Sequence, residues 1–297
     1  MNQMKGSSVQ LDFIKPFNFS LTLNALHAFE PTHQPLNYLT LATKINDTVT
    51  QIKITKDPKH DHKITVTSST PCDEKQLLEV AKWILFTELD LKPMYSLAGS
   101  DPKLDQIIKK LYGLKPTRPV SLFEMAIVAI TEQQISLAAA YKIRSRVIQR
   151  YGEAVGDQWV FPEPLALATA SIEDLRSCGL SRQKADYMHS LAVNIVDGSV
   201  NLDSLKLLSD EDAREMIIGL RGFGRWSADY ILVRGLARPD CVPVDDLAVR
   251  GVVGEYLGDG SRVSPSMVLE LLEPFRPYRG LLAFYLLAAH RLGLTPA

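Results

Sequence analysis

The sequence predicts an α+β protein in two parts: an N-terminal antiparallel sheet with a packed helix over residues 1–98, then an all-helical bundle over residues 99–297. Three observations carry this. Apolar residues tend to alternate with polar ones between Leu21 and Val66, as half-buried strands require. From residue 73 onward the apolar spacing becomes that of helices and stays so. The length of 297 residues exceeds one small core and suits two domains of roughly 100–200 residues each.

The strand pattern shows in Leu21-Thr22-Leu23, Gln51-Ile52-Lys53-Ile54 and Lys63-Ile64-Thr65-Val66, with turn chemistry at Asn46-Asp47 and Asp57-Pro58. Over residues 73–88, Leu77, Leu78, Ala81, Ile84 and Leu85 share one helical face, and the acidic start at Asp73 and Glu74 suits the positive end of a helix dipole. That helix is expected to pack on the sheet. After Leu97-Ala98-Gly99-Ser100 the pattern is helical to the end, in runs of roughly ten to twenty residues punctuated by Gly, Pro, Ser and Asp. Lys115-Pro116-Thr117-Arg118-Pro119 reads as a connection between helices, and no internal repeat or low-complexity segment interrupts the order.

Composition removes several classes. With 46% hydrophobic residues, 23% charged residues and a net charge of −1, the chain is neither disordered, collagen-like nor low-complexity. The near-neutral balance argues against coating DNA non-specifically through many Lys and Arg contacts to phosphate, yet leaves binding through backbone amides open. Cys72, Cys178 and Cys241 lie far apart with no CxxC, matching neither a disulfide framework nor an iron–sulfur or zinc spacing, so they are read as reduced and intracellular. The start MNQMKGSSVQLDF lacks the basic segment and apolar run of a secretory signal, and no uncharged apolar stretch reaches the ~18 residues that would span a bilayer. A cytoplasmic protein is expected.

The sharpest motif is Leu220-Arg221-Gly222-Phe223-Gly224-Arg225-Trp226-Ser227-Ala228-Asp229, an LxGxG turn between two helical stretches, with the hairpin at 220–226. Two glycines one residue apart permit positive φ and close backbone approach, and the helix that follows points free N–H groups and its positive dipole end outward. Such a turn grips phosphate without a lysine, positioning a duplex without reading its bases. A tight helix connection or C-cap would use the same glycines. Cys178-Gly179-Leu180-Ser181-Arg182-Gln183-Lys184-Ala185 is a looser form of the turn, read as a connector with incidental surface charge. Downstream, Pro243-Val244-Asp245-Asp246-Leu247-Ala248-Val249-Arg250 starts another helix. An Asp there is an N-cap or an anion held at a helix N-terminus for catalysis, and one of the pair could cap while the other works.

Together these segments resemble the helix-hairpin-helix DNA glycosylases with a Gly/Pro-rich loop and a catalytic Asp, the HhH-GPD superfamily, and within it the 3-methyladenine DNA glycosylase II (AlkA) type. The resemblance runs over roughly residues 95–290. It includes Asp101-Pro102-Lys103-Leu104, Gly113-Leu114-Lys115-Pro116, Phe123-Glu124, Thr131-Glu132-Gln133-Gln134-Ile135-Ser136 and Tyr151-Gly152. The N-terminal part is similar only through Pro16-Phe17-Asn18-Phe19 and its sheet-like pattern.

The resemblance implies DNA-binding roles for Gly222, Gly224 and the Trp226 amide on lesion-strand phosphate, with Gln134 as the wedge that fills the gap left by a flipped base. It places the essential carboxylate on Asp246, while a PVDxH register, as in oxoguanine-type relatives, would place it on Asp245. The base pocket is expected to use Trp226 and Tyr230, four apart on one helix face, with Phe284 or Tyr285 standing in because Leu287 falls where a pocket Trp would.

The chemistry fits. The target nucleotide must be extruded, at about a few kcal/mol of unstacking. Cleavage then builds positive charge on the sugar, which a fixed carboxylate in a dry site stabilises while orienting water. Alkylated purines are cationic, so aromatic faces serve them better than a general acid. Trp226 occupies the place of the Schiff-base lysine of strand-cutting relatives, so base removal without β-lyase activity is expected. No metal or organic cofactor is expected in the reaction; a structural monovalent cation on the hairpin carbonyls is compatible. Damaged double-stranded DNA is the expected partner and a monomer the expected state. Two other readings are a non-catalytic helix-hairpin-helix protein for abasic or distorted DNA, and an oxoguanine-type glycosylase.

Overall fold

The computed structural model describes residues 6–29, 37–57 and 63–295. The N-terminal part contains β1 (Ser8–Asp12), α1 (Phe19–Phe29), β2 (Tyr38–Ile45), β3 (Thr48–Lys56), β4 (Lys63–Ser68) and α2 (Glu74–Leu85). The four strands form one antiparallel sheet in the order β1-β4-β3-β2. Asn46 and Asp47 both have positive φ, 47° and 60°, so the β2–β3 connection is the two-residue hairpin their tolerance of left-handed backbone allows. The Pro58 of the second expected turn lies outside the described residues; Asp57 donates its backbone N–H to the Lys63 carbonyl. Strand alternation buries Ile52, Ile54, Ile64 and Val66 against Leu77, Ala81, Ile84 and Leu85 of α2, and Asp73 caps α2 by accepting the Gln76 amide.

One expected strand is a helix. Leu21-Thr22-Leu23 lies in α1, whose first turn is closed by Asn18: its side chain accepts the Leu21 amide at 3.0 Å and its carbonyl the Thr22 amide at 3.0 Å. Three alternating residues fit either period, and here Phe19 and Leu23, four apart, decide for the helix by burying in the sheet core. Ser8–Asp12, unassigned from sequence, supplies the edge strand β1.

The helical part comprises α3 (Lys92–Ala98), α4 (Pro102–Lys110), α5 (Leu122–Glu132), α6 (Leu137–Tyr151), α7 (Pro164–Ala168), α8 (Ile172–Ser177), α9 (Arg182–Val196), α10 (Asp210–Ile218), α11 (Arg225–Gly235), α12 (Leu247–Leu257), α13 (Pro265–Leu272) and α14 (Arg279–Arg291). A two-stranded ribbon, β5 (Ala154–Val155) with β6 (Gln158–Trp159), interrupts the helices, and Val160 beyond it bridges to Ala42 of β2. Residues 115–119 connect α4 to α5 as expected.

Three apolar cores result. The sheet and α2 form the first. The second gathers α5, α9, α10 and α11. The third joins α3, α4, α12, α13 and α14 and takes in Ala25 of α1, so these cores cross residue 98. Helix α1 therefore spans two of them, with Phe19 and Leu23 on the sheet side and Phe29 at its far end against the third. No described helix is long and apolar enough to cross a membrane.

Candidate active site

A cleft of about 1450 Å³ opens at the seam between the second and third cores. Six segments meet there: the end of α1 at Phe29, the end of α5 with residues 133–136, the start of α9, helix α11, the start of α12, and the cleft-facing side of α14. Gly222, Gly224, Gln134, Trp226, Tyr230, Asp245, Asp246, Phe284 and Leu287 all line it. Residues far apart in sequence thus converge.

The hairpin is shaped by what lies beneath it. Gly222 has φ +92°, and a Cβ there would fall 2.3 Å from the Tyr187 ring of α9. Arg221 pairs with Asp186 of the same helix at 2.5 Å, so the turn is seated on α9. From behind, Arg214 of α10 meets the buried Asp229 of α11 at 2.8 Å, fixing the helix after the turn. Gly224 begins α11 in extended backbone with no side-chain cap and nothing within 4 Å of a notional Cβ. The first-turn amides of α11 are therefore left for an external acceptor, which is the arrangement that binds anions.

The neighbouring loop is tied to the hairpin. Gln133 donates through Nε2 to the Gly222 carbonyl at 2.8 Å and to Ser227 Oγ at 3.1 Å. Lys184 of α9 reaches the carbonyls of Thr131 (2.9 Å) and Gln133 (2.5 Å), and burial lowers its pKa. Its charge is thus a fastener for the end of α5, which corrects the reading of the Cys178–Ala185 segment as a connector with incidental charge. Gln134 follows, exposed and with φ +55°, projecting from a backbone fixed on both sides. The hairpin carbonyls of Leu220 and Gly222 accept from Phe223 N–H and Gln133 Nε2, each keeping a lone pair that a monovalent cation could use.

Asp246 combines an N-cap with an anion at the cleft. Its Oδ1 accepts the Ala248 and Val249 amides at 2.8 and 3.1 Å, which makes it the N-cap of α12. Its Oδ2 accepts the Trp226 indole Nε1–H at 2.9 Å. The carboxylate is half-buried at the cleft, whereas Asp245 is exposed. The cap and the cleft-facing anion are one residue.

Two aromatic pairs face the cleft. Trp226 and Tyr230 stack at 5.1 Å between centroids with 20° between planes. Phe284 stacks on Phe29 at 5.4 Å and 15°. Phe29 comes from α1, and nothing in its local sequence marks it. Tyr285, expected in the pocket, is instead fully buried in the third core: its hydroxyl donates to the Leu114 carbonyl at 2.5 Å and contacts Tyr95 Oη at 2.7 Å. On α14 a one-residue step turns a side chain by about 100°, so Phe284 and Leu287 share the cleft face and Tyr285 does not. Glu132 and Gln133 sit inside the Thr131–Ser136 motif, but only Gln134 carries an expected role there; their partners come from distant helices, which sequence spacing does not reveal.

Hairpin, Gly/Pro-rich connection, half-buried aspartate and aromatic walls on one cleft define the class: the chain belongs to the HhH-GPD superfamily of base excision DNA repair proteins, whose family model matches residues 127–277. It is similar to the DNA-3-methyladenine glycosylase of Bacillus subtilis (strain 168), 28% identical over 225 residues, or 73% of this chain and 74% of that protein. Among solved structures it resembles the 3-methyladenine DNA-glycosylase of Archaeoglobus fulgidus, with TM-score 0.84 and 25% identity over 96% of this chain and 99% of that one. It is also similar to the Schizosaccharomyces pombe 3-methyladenine DNA glycosylase in complex with abasic DNA, with TM-score 0.61 and 27% identity over 69% of this chain and 100% of that one.

Proposed function

We propose that this protein is a monofunctional DNA N-glycosylase that extrudes alkylated purines, and hypoxanthine, from duplex DNA and hydrolyses the glycosidic bond to leave an abasic site. The observation that carries the reading is the Asp246 carboxylate, fixed by three hydrogen bonds at the mouth of an aromatic cleft beside an uncapped helix N-terminus. The relatives' names point to the same substrate class.

In the proposed reaction the α11 amides at Gly224–Trp226 hold a lesion-strand phosphate, Gln134 enters the duplex, and the base stacks between the Trp226–Tyr230 and Phe29–Phe284 walls. Asp246 stabilises the positive charge that develops on the sugar and orients the water. The carboxylate needs no reorganisation at that moment, because its donors are already in place. Base removal stops without strand cutting: Lys184 is the lysine among the described cleft-lining residues, and its ammonium is committed to two carbonyls. The chemistry proposed uses no metal or organic cofactor, and a monovalent cation on the hairpin carbonyls would only stiffen the turn. We place the enzyme in the cytoplasm, acting as a monomer on DNA.

The test is release of free base from duplex carrying N-methylated purines, with alkali-labile sites and untreated strands assayed beside it. Asp246→Asn should lower release by about 10²–10³-fold, the order of a lost preorganised electrostatic contact, and still bind abasic duplex. Asp245→Asn should change it little, and strands should stay intact without alkali. If the loss falls on Asp245→Asn the other register is correct. If the wild type binds abasic DNA and releases no damaged base, the protein is a binding module.

A further inference from the structure

Behind the Trp226–Tyr230 wall lies a charged pair that the proposed reaction does not use. Glu132, the last residue of α5, and Arg144 of α6 meet at 3.0 Å with side chains only 9% and 7% exposed. Arg144 takes one carboxylate oxygen, Oε1; the other, Oε2, accepts the Tyr230 hydroxyl at 2.9 Å. Glu132 borders the cleft and Arg144 is not among its lining residues, so the anionic end of the pair is the one nearer the cleft.

The opposite wall has the reverse character. The Arg234 guanidinium lies 5.6 Å from the Phe29 ring centroid and 5.5 Å from that of Phe284, and Arg291 lies 4.7 Å from Phe29. Those rings already have cations on them. A cationic base stacked between the two walls therefore has the Trp226–Tyr230 stack as the face that attracts its charge.

We infer that Glu132 is a positioning residue that sets specificity: by accepting the Tyr230 hydroxyl it fixes that ring against Trp226 and enriches its π face, favouring cationic alkylated bases over neutral ones. The physical step is direct. A phenol that donates to a carboxylate gains electron density in its ring, and the attraction between a cation and an aromatic face grows with the negative charge on that face. A neutral base gains less. The inference rests on the glycosylase reading of the cleft and adds to it the residue that tunes its choice of base.

The experiment is single-turnover release of 7-methylguanine, a cationic base in DNA, and of hypoxanthine, a neutral one, by the wild type, Glu132→Gln, Tyr230→Phe and the double variant. Taking the ratio of the two rates cancels any loss of folded protein. Tyr230→Phe also removes the hydrogen bond without touching the Glu132–Arg144 pair, so one variant decides if the other folds poorly. Each single variant keeps the aromatic ring and loses only its polarisation, so each should lower the methylguanine-to-hypoxanthine ratio by about threefold, the order of the weaker cation–π contacts, and the double variant should lower it no further. Ratios unchanged in both single variants overturn the inference, as do losses that multiply in the double variant, since Glu132 then does not act through Tyr230. A wild type that releases neither base overturns the glycosylase reading itself.

Discussion

The two hairpin glycines should fail in different ways when each is changed to alanine. At Gly222 the backbone has φ +92°, where an L-residue costs about 1–2 kcal/mol. The added methyl would also lie 2.3 Å from two carbons of the Tyr187 ring, so the ring or the turn must move, at a further ~1–3 kcal/mol for overpacking. Gly222→Ala is therefore expected to destabilise the protein by about 2–5 kcal/mol. Gly224 sits at φ −116° with nothing within 4 Å of its notional Cβ, so Gly224→Ala should cost less than about 1 kcal/mol, the difference between Gly and Ala at an N-cap. Its methyl instead enters the open space at the start of α11, where in the proposed complex it crowds the bound phosphate, and should weaken binding of abasic duplex by about tenfold, the order of one lost amide–phosphate hydrogen bond. Urea midpoints at constant slope give the first quantity and fluorescence anisotropy the second. Adding Tyr187→Ala to Gly222→Ala should recover about 1–3 kcal/mol relative to the sum of the singles, because the clash is gone while the strain stays. A Gly222→Ala protein as stable as wild type, or a Gly224→Ala protein that binds abasic DNA unchanged, would refute the reasoning.

Two further outcomes follow from buried groups. Lys115 is 1% exposed, with its ammonium on the Thr87 carbonyl at 3.0 Å, and burial brings its pKa from 10.5 down to about 8. Below about pH 8 the folded state carries the full cost of that charge; from there to 10.5 it gives up its proton before the unfolded chain does, so stability rises with pH. The gap of about 2.5 units corresponds to roughly 3 kcal/mol, and Lys115→Met should lack this rise in urea midpoints taken from pH 7 to 10; parallel curves would count against it. Phe29→Ala removes one ring of the second aromatic wall and should slow release of methylated base and of hypoxanthine alike by about tenfold, within the range of one aromatic stacking contact. Unchanged release would mean that α1 contributes nothing to the pocket.

What sequence shows and what it hides divides along contact range. The α2 face, the Asn46-Asp47 turn, the hairpin glycines and the start of α12 at Asp246 are local: each depends on residues within one or two turns, and each was legible. The strand reading of Leu21-Thr22-Leu23 failed because three residues hold too little periodicity to separate strand from helix. That error also hid Phe29, which reaches the cleft only because α1 is a helix anchored by Phe19 and Leu23 in the sheet core. Tyr285 was misplaced for a similar reason: the run from Leu281 to Ala289 is apolar on every side, so its pattern does not say which face of α14 meets the cleft. Lys184 and Glu132 look like ordinary surface charge until the end of α5 gives Lys184 its carbonyls and α6 and α11 give Glu132 its donors.

The position of Asp246 follows from the same division of the chain into cores. Its Oδ1 is held by amides of α12, whose Val249, Val252 and Val253 pack in the third core. Its Oδ2 is held by the indole of α11, whose Ala228, Ile231 and Leu232 pack in the second. The carboxylate is thus pinned from both banks of the seam that forms the cleft, and neither core alone fixes both oxygens. Any movement that widens the seam must stretch the Trp226 bond first, since the two backbone bonds travel with α12. The hairpin proposed to grip phosphate and the anion proposed to face the sugar are thereby coupled through one indole, two residues beyond Gly224.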